Sequence, residues 1–413
     1  MTNIAIVGAG ITGVTTAYTL SRHGYNVTVF DRNRYAAMET SFANGGQLSV
    51  SNAEVWNSWS TVFKGLKWIL KKDAPLLINP KPTWHKYSWM AEFILNISNY
   101  EKNTIFTAKL AIEARRRMFE IAEEEKIDFD LERRGILHIY RSKRAYQHAS
   151  EVNKLLEVGG LERRPVNVDE IYAIEPTLSG AFYGGFFTRS DSTGDIHKFT
   201  RGLAEASVRR GVHFINDAVV ETVKHGEKNL SVCWRHASSR YPDLNIDHFD
   251  AIVICAGVAS RGFAAQLGDR VNIYPVKGYS ITVNLRDNSS QASAPWVSLL
   301  DDDAKIVTSR LGLGRFRIAG TAEYNGENLD IRSDRIKPLV AWCRDCFPGV
   351  DTSDVVPWAG LRPMMPNMLP RVGRGNRPGV FYNTGHGHLG WTLSAATADI
   401  LVNSINDVYA TVR

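Results

Sequence analysis

The chain has 413 residues, enough for two or three domains, with a hydrophobic fraction of 44% and a charged fraction of 22% that exclude a disordered or fibrous protein. The formal net charge of +6 is a modest bias that gives no ground for nucleic-acid binding. Four cysteines (Cys233, Cys255, Cys343, Cys346) make no disulfide framework in a chain this long and fit a reducing compartment. Met1-Thr2-Asn3 leads straight into an apolar run with no basic n-region, and no uncharged apolar stretch reaches about 18 residues. The expectation is a cytoplasmic protein, at most peripheral on the inner face of the cell membrane.

In chain order, Ile4-Ala5-Ile6-Val7 is a short strand, followed by the loop Gly8-Ala9-Gly10-Ile11-Thr12-Gly13 and a helix marked by Val14, Ala17, Tyr18 and Leu20 up to Gly24. Val27-Thr28-Val29-Phe30 is a second strand ending at Asp31, and this βαβ start implies a parallel, doubly wound sheet. Beyond Gly46 the pattern is irregular and aromatic. Helices are then expected over 104–126, 145–157, 197–210 (capped near Asp195) and 334–346, with a last one from Gly390 to Ile405. Strands are expected over 135–140, 212–215, 219–223, 250–257 and 380–383, and several alternating strands between 273 and 324 suggest an antiparallel sheet. The predicted fold is α/β. A Rossmann-like dinucleotide-binding domain is expected from 1–85, 155–274 and 330–413, interrupted by a discontinuous α+β domain on an antiparallel sheet from 86–154 and 275–329.

The Gly8-x-Gly10-x-x-Gly13 spacing has meaning because it lies between a strand and a helix. Gly8 permits the turn, Gly10 lets backbone approach a pyrophosphate, and Gly13 lets helix and strand pack closely; Ile11 and Thr12 bring the helix N-terminus, with its partial positive charge, to the phosphates. Asp31, followed by Arg32, can accept both hydroxyls of an adenosine ribose and would repel a 2′-phosphate. Cys343-Arg344-Asp345-Cys346 has no second ligand pair, so no metal site is expected.

Five separated segments resemble the D-amino-acid oxidase superfamily of flavoproteins, most closely its D-amino-acid dehydrogenase branch. The first is the N-terminal dinucleotide unit. The second, Thr40-Ser41-Phe42-Ala43-Asn44-Gly45-Gly46-Gln47, is similar to the family's small-residue turn beside the flavin. The third is the strand ending Cys255-Ala256-Gly257, for which the resemblance also brings Val219 or Val220 to the adenine. The fourth begins Gly360-Leu361-Arg362-Pro363 and runs to Gly373, with Asn367 where the family commonly has Asp. The fifth is the loop Gly385, His386, Gly387, His388, Leu389, Gly390, Trp391 and Thr392, which leads into the last helix and would aim its N-terminus at the flavin C2 carbonyl and N1. The resemblance implies FAD as cofactor rather than NAD.

It further implies that Arg362 holds a substrate carboxylate through its guanidinium fork, fixing the Cα–H toward flavin N5 for hydride transfer. The imine would then hydrolyse to a 2-oxo acid and ammonia. Tyr279, in Lys277-Gly278-Tyr279-Ser280, is a candidate to bind the carboxylate or close the pocket; Gln47 is a candidate to touch the isoalloxazine; Tyr324 is a further pocket candidate. His386 and His388 read either as bases or as hydrogen-bonded scaffold. Residues 56–89 hold Trp56, Trp59, Trp68, Trp84 and Trp89 and six lysines against the single Asp73. Trp59, Val62, Phe63, Leu66, Ile69 and Leu70 share one helical face, and Lys64, Lys67, Lys71 and Lys72 gather on the other side. Such a segment is either a core-packing helix with a solvated face or an element that lies in a membrane interface and serves electron transfer to a quinone or respiratory acceptor. The leading reading is an amino-acid dehydrogenase with D-amino acids favoured. Alternatives are a peroxide-releasing oxidase of glycine, sarcosine or a secondary amine, a flavin electron-relay subunit without its own substrate, and an NAD-dependent dehydrogenase.

Overall fold

A computed structural model describes residues 2–68, 76–226, 229–238 and 244–409. Strand β1 (Asn3–Val7), helix α1 (Ile11–Arg22) and strand β2 (Asn26–Phe30) form the expected opening unit. β1 lies at the centre, beside β2, of a six-stranded sheet ordered Arg371–Arg374, Val380–Thr384, Ala251–Ile254, β1, β2, His213–Ile215. Every pair in it is parallel except the Arg371–Arg374 edge. Ile4, Ile6, Val27, Val29, Ala251 and Val253 pack with Val14, Ala17 and Leu20 of α1 and with Trp391, Leu401 and Val402 of the last helix, Gly390–Tyr409. Strands buried on both faces are apolar at every position, which explains why these runs do not alternate.

The turn after β1 needs its glycines. Gly8 sits at φ +106°, and a side chain there would meet the Cys255 carbonyl at 2.6 Å. A Cβ at Gly13 would run into the Gly8 carbonyl, so the first turn of α1 lies directly on the strand end.

The second layer is a large mixed sheet ordered Val355–Met364, Tyr274–Asn284, Arg315–Tyr324, Ile306–Leu311, Ser298–Asp301, Ile136–Tyr140, Gly184–Thr188, Arg164–Val166, with Leu76–Ile78 pairing alongside Arg315–Tyr324. Most pairs are antiparallel, as expected; Ser298–Asp301 with Ile136–Tyr140 is parallel. The expected domain boundaries shift accordingly. Arg164–Val166, Gly184–Thr188 and Val355–Met364 belong to this sheet and not to the dinucleotide unit. Helix Ser333–Cys346 packs on the same sheet through Leu339, Trp342 and Cys343 against Ile281, Phe316 and Ile318. Conversely, Met118, Ile121 and Ala122 of the long helix Tyr100–Glu124 join the core of the parallel sheet. A third sheet, Ala218–His225, Leu230–His236 and Asn245–Phe249, is antiparallel.

Asp195 caps helix Ile196–Arg209 as expected, accepting from the His197 and Lys198 N–H groups. It also pairs with Arg315 of the large sheet at 2.9 Å and is buried. Asp195→Ala should cost about 1–2 kcal/mol for the cap, since Arg315 keeps its Asp130 partner, lowering the thermal midpoint by a few degrees in a melting experiment.

Candidate active site

A cavity of about 1110 Å³ runs from the β1–α1 turn to the face of the large sheet. Every residue expected to meet cofactor or substrate lines it except Gly13, whose contribution is the helix–strand contact. At one end are Gly8, Gly10, Ile11, Thr12, Asp31, Arg32, Val219, Val220, Cys255, Ala256 and Gly257. α1 begins here on Gly10, which supplies no side-chain cap, and Ser41 Oγ accepts the Ile11 N–H at 3.0 Å. Asp31 accepts the Ala9 N–H at 2.6 Å and the Asn33 N–H at 2.8 Å. Burial pushes its carboxyl up from the usual carboxylate range, and these donors oppose the rise. Arg32 is exposed and paired with Glu39.

The turn beside the middle of the cavity is tied to the large sheet at several points. Thr40 Oγ1 donates to the Leu361 carbonyl at 2.9 Å, and Ser280 Oγ donates to the Ala43 carbonyl at 2.8 Å. Ser309 Oγ donates to the Gly45 carbonyl at 2.6 Å, and Gln47 Nε2 donates to Ser298 Oγ at 2.8 Å and to the Leu299 carbonyl at 3.1 Å. Asn44 Oδ1 accepts the Gly46 N–H at 2.9 Å, which closes the turn on itself. Gln47 therefore spends its amide on the sheet while its side remains on the cavity wall.

The 385–392 loop closes the cavity from the other side and passes into the last helix. Thr397 Oγ1 donates to the Ser394 carbonyl, so His386 Nε2 carries a proton and donates to Thr397 at 3.0 Å. Burial pushes the His386 pKa down to about 3. Of the two readings open for it, the hydrogen bond to Thr397 favours the scaffold one, in which it braces the loop on the helix. His388 donates Nε2–H to the Asn52 carbonyl, stacks on Trp56 with centroids 4.7 Å apart, and is pushed down to about 4 by burial. Thr392 Oγ1 accepts the Ser49 N–H at 3.4 Å.

Arg362 reaches the cavity from strand Val355–Met364. Its only hydrogen bond among the described residues is Nη1–H to the Thr321 carbonyl at 3.1 Å, and no carboxylate lies within ion-pair distance. Burial lowers its pKa to about 10. Arg310 presents the opposite pattern: it is enclosed in the sheet and donates to the carbonyls of Gly312, Gln291, Ala294 and Leu313. That is how a structural arginine is satisfied; Arg362 keeps most of its fork for something else.

The two tyrosine candidates separate by sheet parity. Arg362 pairs with Val276 and Gly360 with Gly278, so Gly278 shares the cavity face with Arg362 and Tyr279 faces away. The Tyr279 hydroxyl donates to Glu323 at 2.8 Å behind the sheet, and its ring lies in the apolar core under helix Ser333–Cys346. Its hydroxyl is thus spent on Glu323, although the residue itself borders the cavity. Tyr324 is on the cavity face, packed on Tyr274 and Trp89, and its hydroxyl makes no hydrogen bond among the described residues. Burial raises its pKa, and the nearby Arg362 opposes that rise. Glu54 and Trp56 also line the cavity; from sequence Trp56 stands out only as part of the aromatic 56–89 segment, and a lone glutamate in an irregular stretch carries no periodic signal. Cys343 and Cys346 are buried in helix Ser333–Cys346 with thiols pushed up to about 12 and about 11 by burial.

Residues 3–404 match the family model of the DAO FAD-dependent oxidoreductases. The chain belongs to this family. It is 61% identical over 405 residues to a D-amino acid dehydrogenase 3 of Mesorhizobium japonicum, covering 98% of this chain and 97% of the relative. It is 38% identical over 410 residues to a D-amino acid dehydrogenase of Dechloromonas aromatica, covering 98% of this chain and 96% of that one. The fold is shared with glycine oxidase from Geobacillus kaustophilus at a TM-score of 0.77 and 17% identity, covering 98% of this chain and 95% of that one. The protein is thus an FAD-dependent oxidoreductase, and the length, glycine lining and two helix N-termini of the cavity fit that cofactor. Gly13→Ala should separate α1 from β1 and yield protein that has lost most of its FAD, read as the flavin absorbance per protein after purification.

Proposed function

We propose that the enzyme oxidatively deaminates a small amino acid, with D-amino acids favoured, to a 2-oxo acid and ammonia, and passes the electrons to a quinone or other respiratory acceptor. The observation that carries this reading is the Arg362 guanidinium, half-buried at the cavity wall with one backbone partner and no counter-charge among the described residues. A substrate carboxylate completes it in bidentate geometry. The free Tyr324 hydroxyl beside it is a second donor. The curated relatives that bear the name D-amino acid dehydrogenase support the stereochemical preference and the dehydrogenase over the oxidase.

When bound, FAD supplies the two-electron acceptor. The protein's part is to hold the carboxylate so that the Cα–H faces the ring, and to exclude water around it. His386 and His388 are held neutral far below pH 7 and offer no base poised near neutrality. The amine therefore reacts in its neutral form, its proton having gone to water.

The acceptor side rests on helix Trp59–Trp68. Ser60 and Thr61 line the cavity, while Trp59 and Phe63 are 56% and 60% exposed and Trp84 is 84% exposed. Aromatic rings at a cavity mouth suit contact with a membrane interface that holds quinone. Ile69, Leu70, Lys71 and Lys72 lie outside the described residues. Lys86 is spent on the Asn79 and Lys81 carbonyls and does not join a basic face. No described helix is long and apolar enough to cross a membrane.

Anaerobic mixing with a panel of D- and L-amino acids should bleach the flavin, fastest with small D-amino acids. Arg362→Ala should keep FAD and lose about 2–5 kcal/mol of substrate affinity in the transition state, read as kcat/KM; unchanged bleaching would overturn the anchor. The pH profile of kcat/KM should climb toward the substrate ammonium pKa without a limb near about 6.5, the ordinary histidine value. It should fall above about 10 as the free-enzyme Arg362 loses its charge. Turnover should be fast with a ubiquinone analogue and slow with oxygen, and the enzyme should sediment with anionic phospholipid vesicles; rapid peroxide release without vesicle binding would favour the oxidase.

A further inference from the structure

The strands around Arg362 are irregular near its guanidinium, and two of the irregularities, Gly278 and the bulge at Thr321, meet it directly. Gly278 lies inside the long strand Tyr274–Asn284, directly opposite Gly360 of the neighbouring strand. Glycine inside a strand weakens it and marks a place where something else must come close. At Gly360 the neighbour is the Trp358 indole, whose Cζ2 would be 2.6 Å from an added Cβ. At Gly278 the neighbour is Arg362: an added Cβ would sit 2.5 Å from both Cζ and Nη2 and would also overlap Nη1. The guanidinium plane thus rests on bare backbone.

On the other flank, strand Arg315–Tyr324 bulges between the register pairs Lys277↔Glu323 and Tyr279↔Gly320. The bulge puts Thr321 at φ +61°, a left-handed conformation that a β-branched residue rarely adopts. Its hydroxyl is buried without a hydrogen-bond partner, so its own side chain does not hold this backbone in place. What the bulge delivers is the Thr321 carbonyl, on which Arg362 Nη1–H is pinned at 3.1 Å.

Resting on the reading of Arg362 as the carboxylate anchor, we infer that Gly278 is a positioning residue for substrate recognition. The absence of a side chain at 278 lets the guanidinium lie flat on the sheet with one donor on Thr321 and the remaining donors open to the carboxylate. The atoms an added methyl displaces are the free end of a flexible side chain, so the enzyme with alanine there folds and holds FAD, and the displacement falls on the substrate-binding fork.

The test is Gly278→Ala, alone and combined with Arg362→Lys, in the FAD-loaded enzyme. The readouts are the Kd of benzoate from the perturbed flavin spectrum, and KM and kcat for the best amino acid. Gly278→Ala should raise the benzoate Kd and KM about tenfold or more, as expected when a charged bidentate pair is misaligned, with a smaller change in kcat. In the Arg362→Lys background, where no guanidinium lies over residue 278, adding Gly278→Ala should change the Kd less than about twofold. Three results overturn the inference: wild-type benzoate affinity in Gly278→Ala, full multiplication of the two losses in the double variant, or loss of FAD in both. If Arg362→Ala leaves benzoate and substrate binding intact, the anchor reading itself fails. If Arg362→Ala loses binding and Gly278→Ala does not, only the role of Gly278 fails.

Discussion

A positive charge set deep in a protein without a counter-charge is among the most costly arrangements a fold can carry. Arg362, half-buried at the cavity wall with no counter-charge among the described residues, approaches that arrangement, and much of the architecture around the cavity holds it in place. The strand that bears it pairs over its whole length with Tyr274–Asn284. The bulge at Thr321 gives it one carbonyl, and Gly278 and Gly360 clear the surface beneath it and Trp358. Burial lowers its pKa to about 10, which still leaves it charged at neutral pH.

That charge is useful only if it is placed accurately against the cofactor, and the placement comes from the turn at residues 40–47. The turn leaves the parallel sheet near the cofactor loop and is bonded to the large sheet through Leu361, Ser280, Ser309 and Ser298. Leu361 is the residue next to Arg362, so the tether holds the 40–47 turn and the proposed substrate anchor in one frame. The small residues and hydroxyls in Thr40–Gln47 serve that joint as much as the cofactor. On the far side, His386 and Thr397 lock the 385–392 loop to the last helix, so the groups around the flavin position are fixed dipoles rather than titrating acids and bases.

The dinucleotide unit was legible because its signals are local: a strand, a glycine turn, a helix and an acid follow one another within about 30 residues. The Asp195 cap and the helices at 100–124, 143–158 and 333–346 were legible for the same reason, since capping and helical period act within a few residues. Strand partnership was not. Arg164–Val166 and Gly184–Thr188 join a sheet whose other strands come from residues 76–78, 136–140 and 274–364, and nothing in their own sequence names those partners. The orientation of the Tyr279 hydroxyl has the same origin. That hydroxyl and Arg362 lie on opposite faces because of a register between strands some 80 residues apart, whereas Tyr324 reaches the right face only through a bulge that no pattern announces. Gly278 did carry a signal, a glycine within an otherwise strand-like run, of the kind that marks close approach.

The most direct measurement of the central claim is a crystal structure of the FAD-loaded enzyme with benzoate or a slowly reacting amino acid bound. The account predicts the ligand carboxylate on the Arg362 fork, the Tyr324 hydroxyl within hydrogen-bond distance of it, and Nη1 still on the Thr321 carbonyl. A carboxylate bound elsewhere in the cavity, with Arg362 folded onto protein partners, would contradict it.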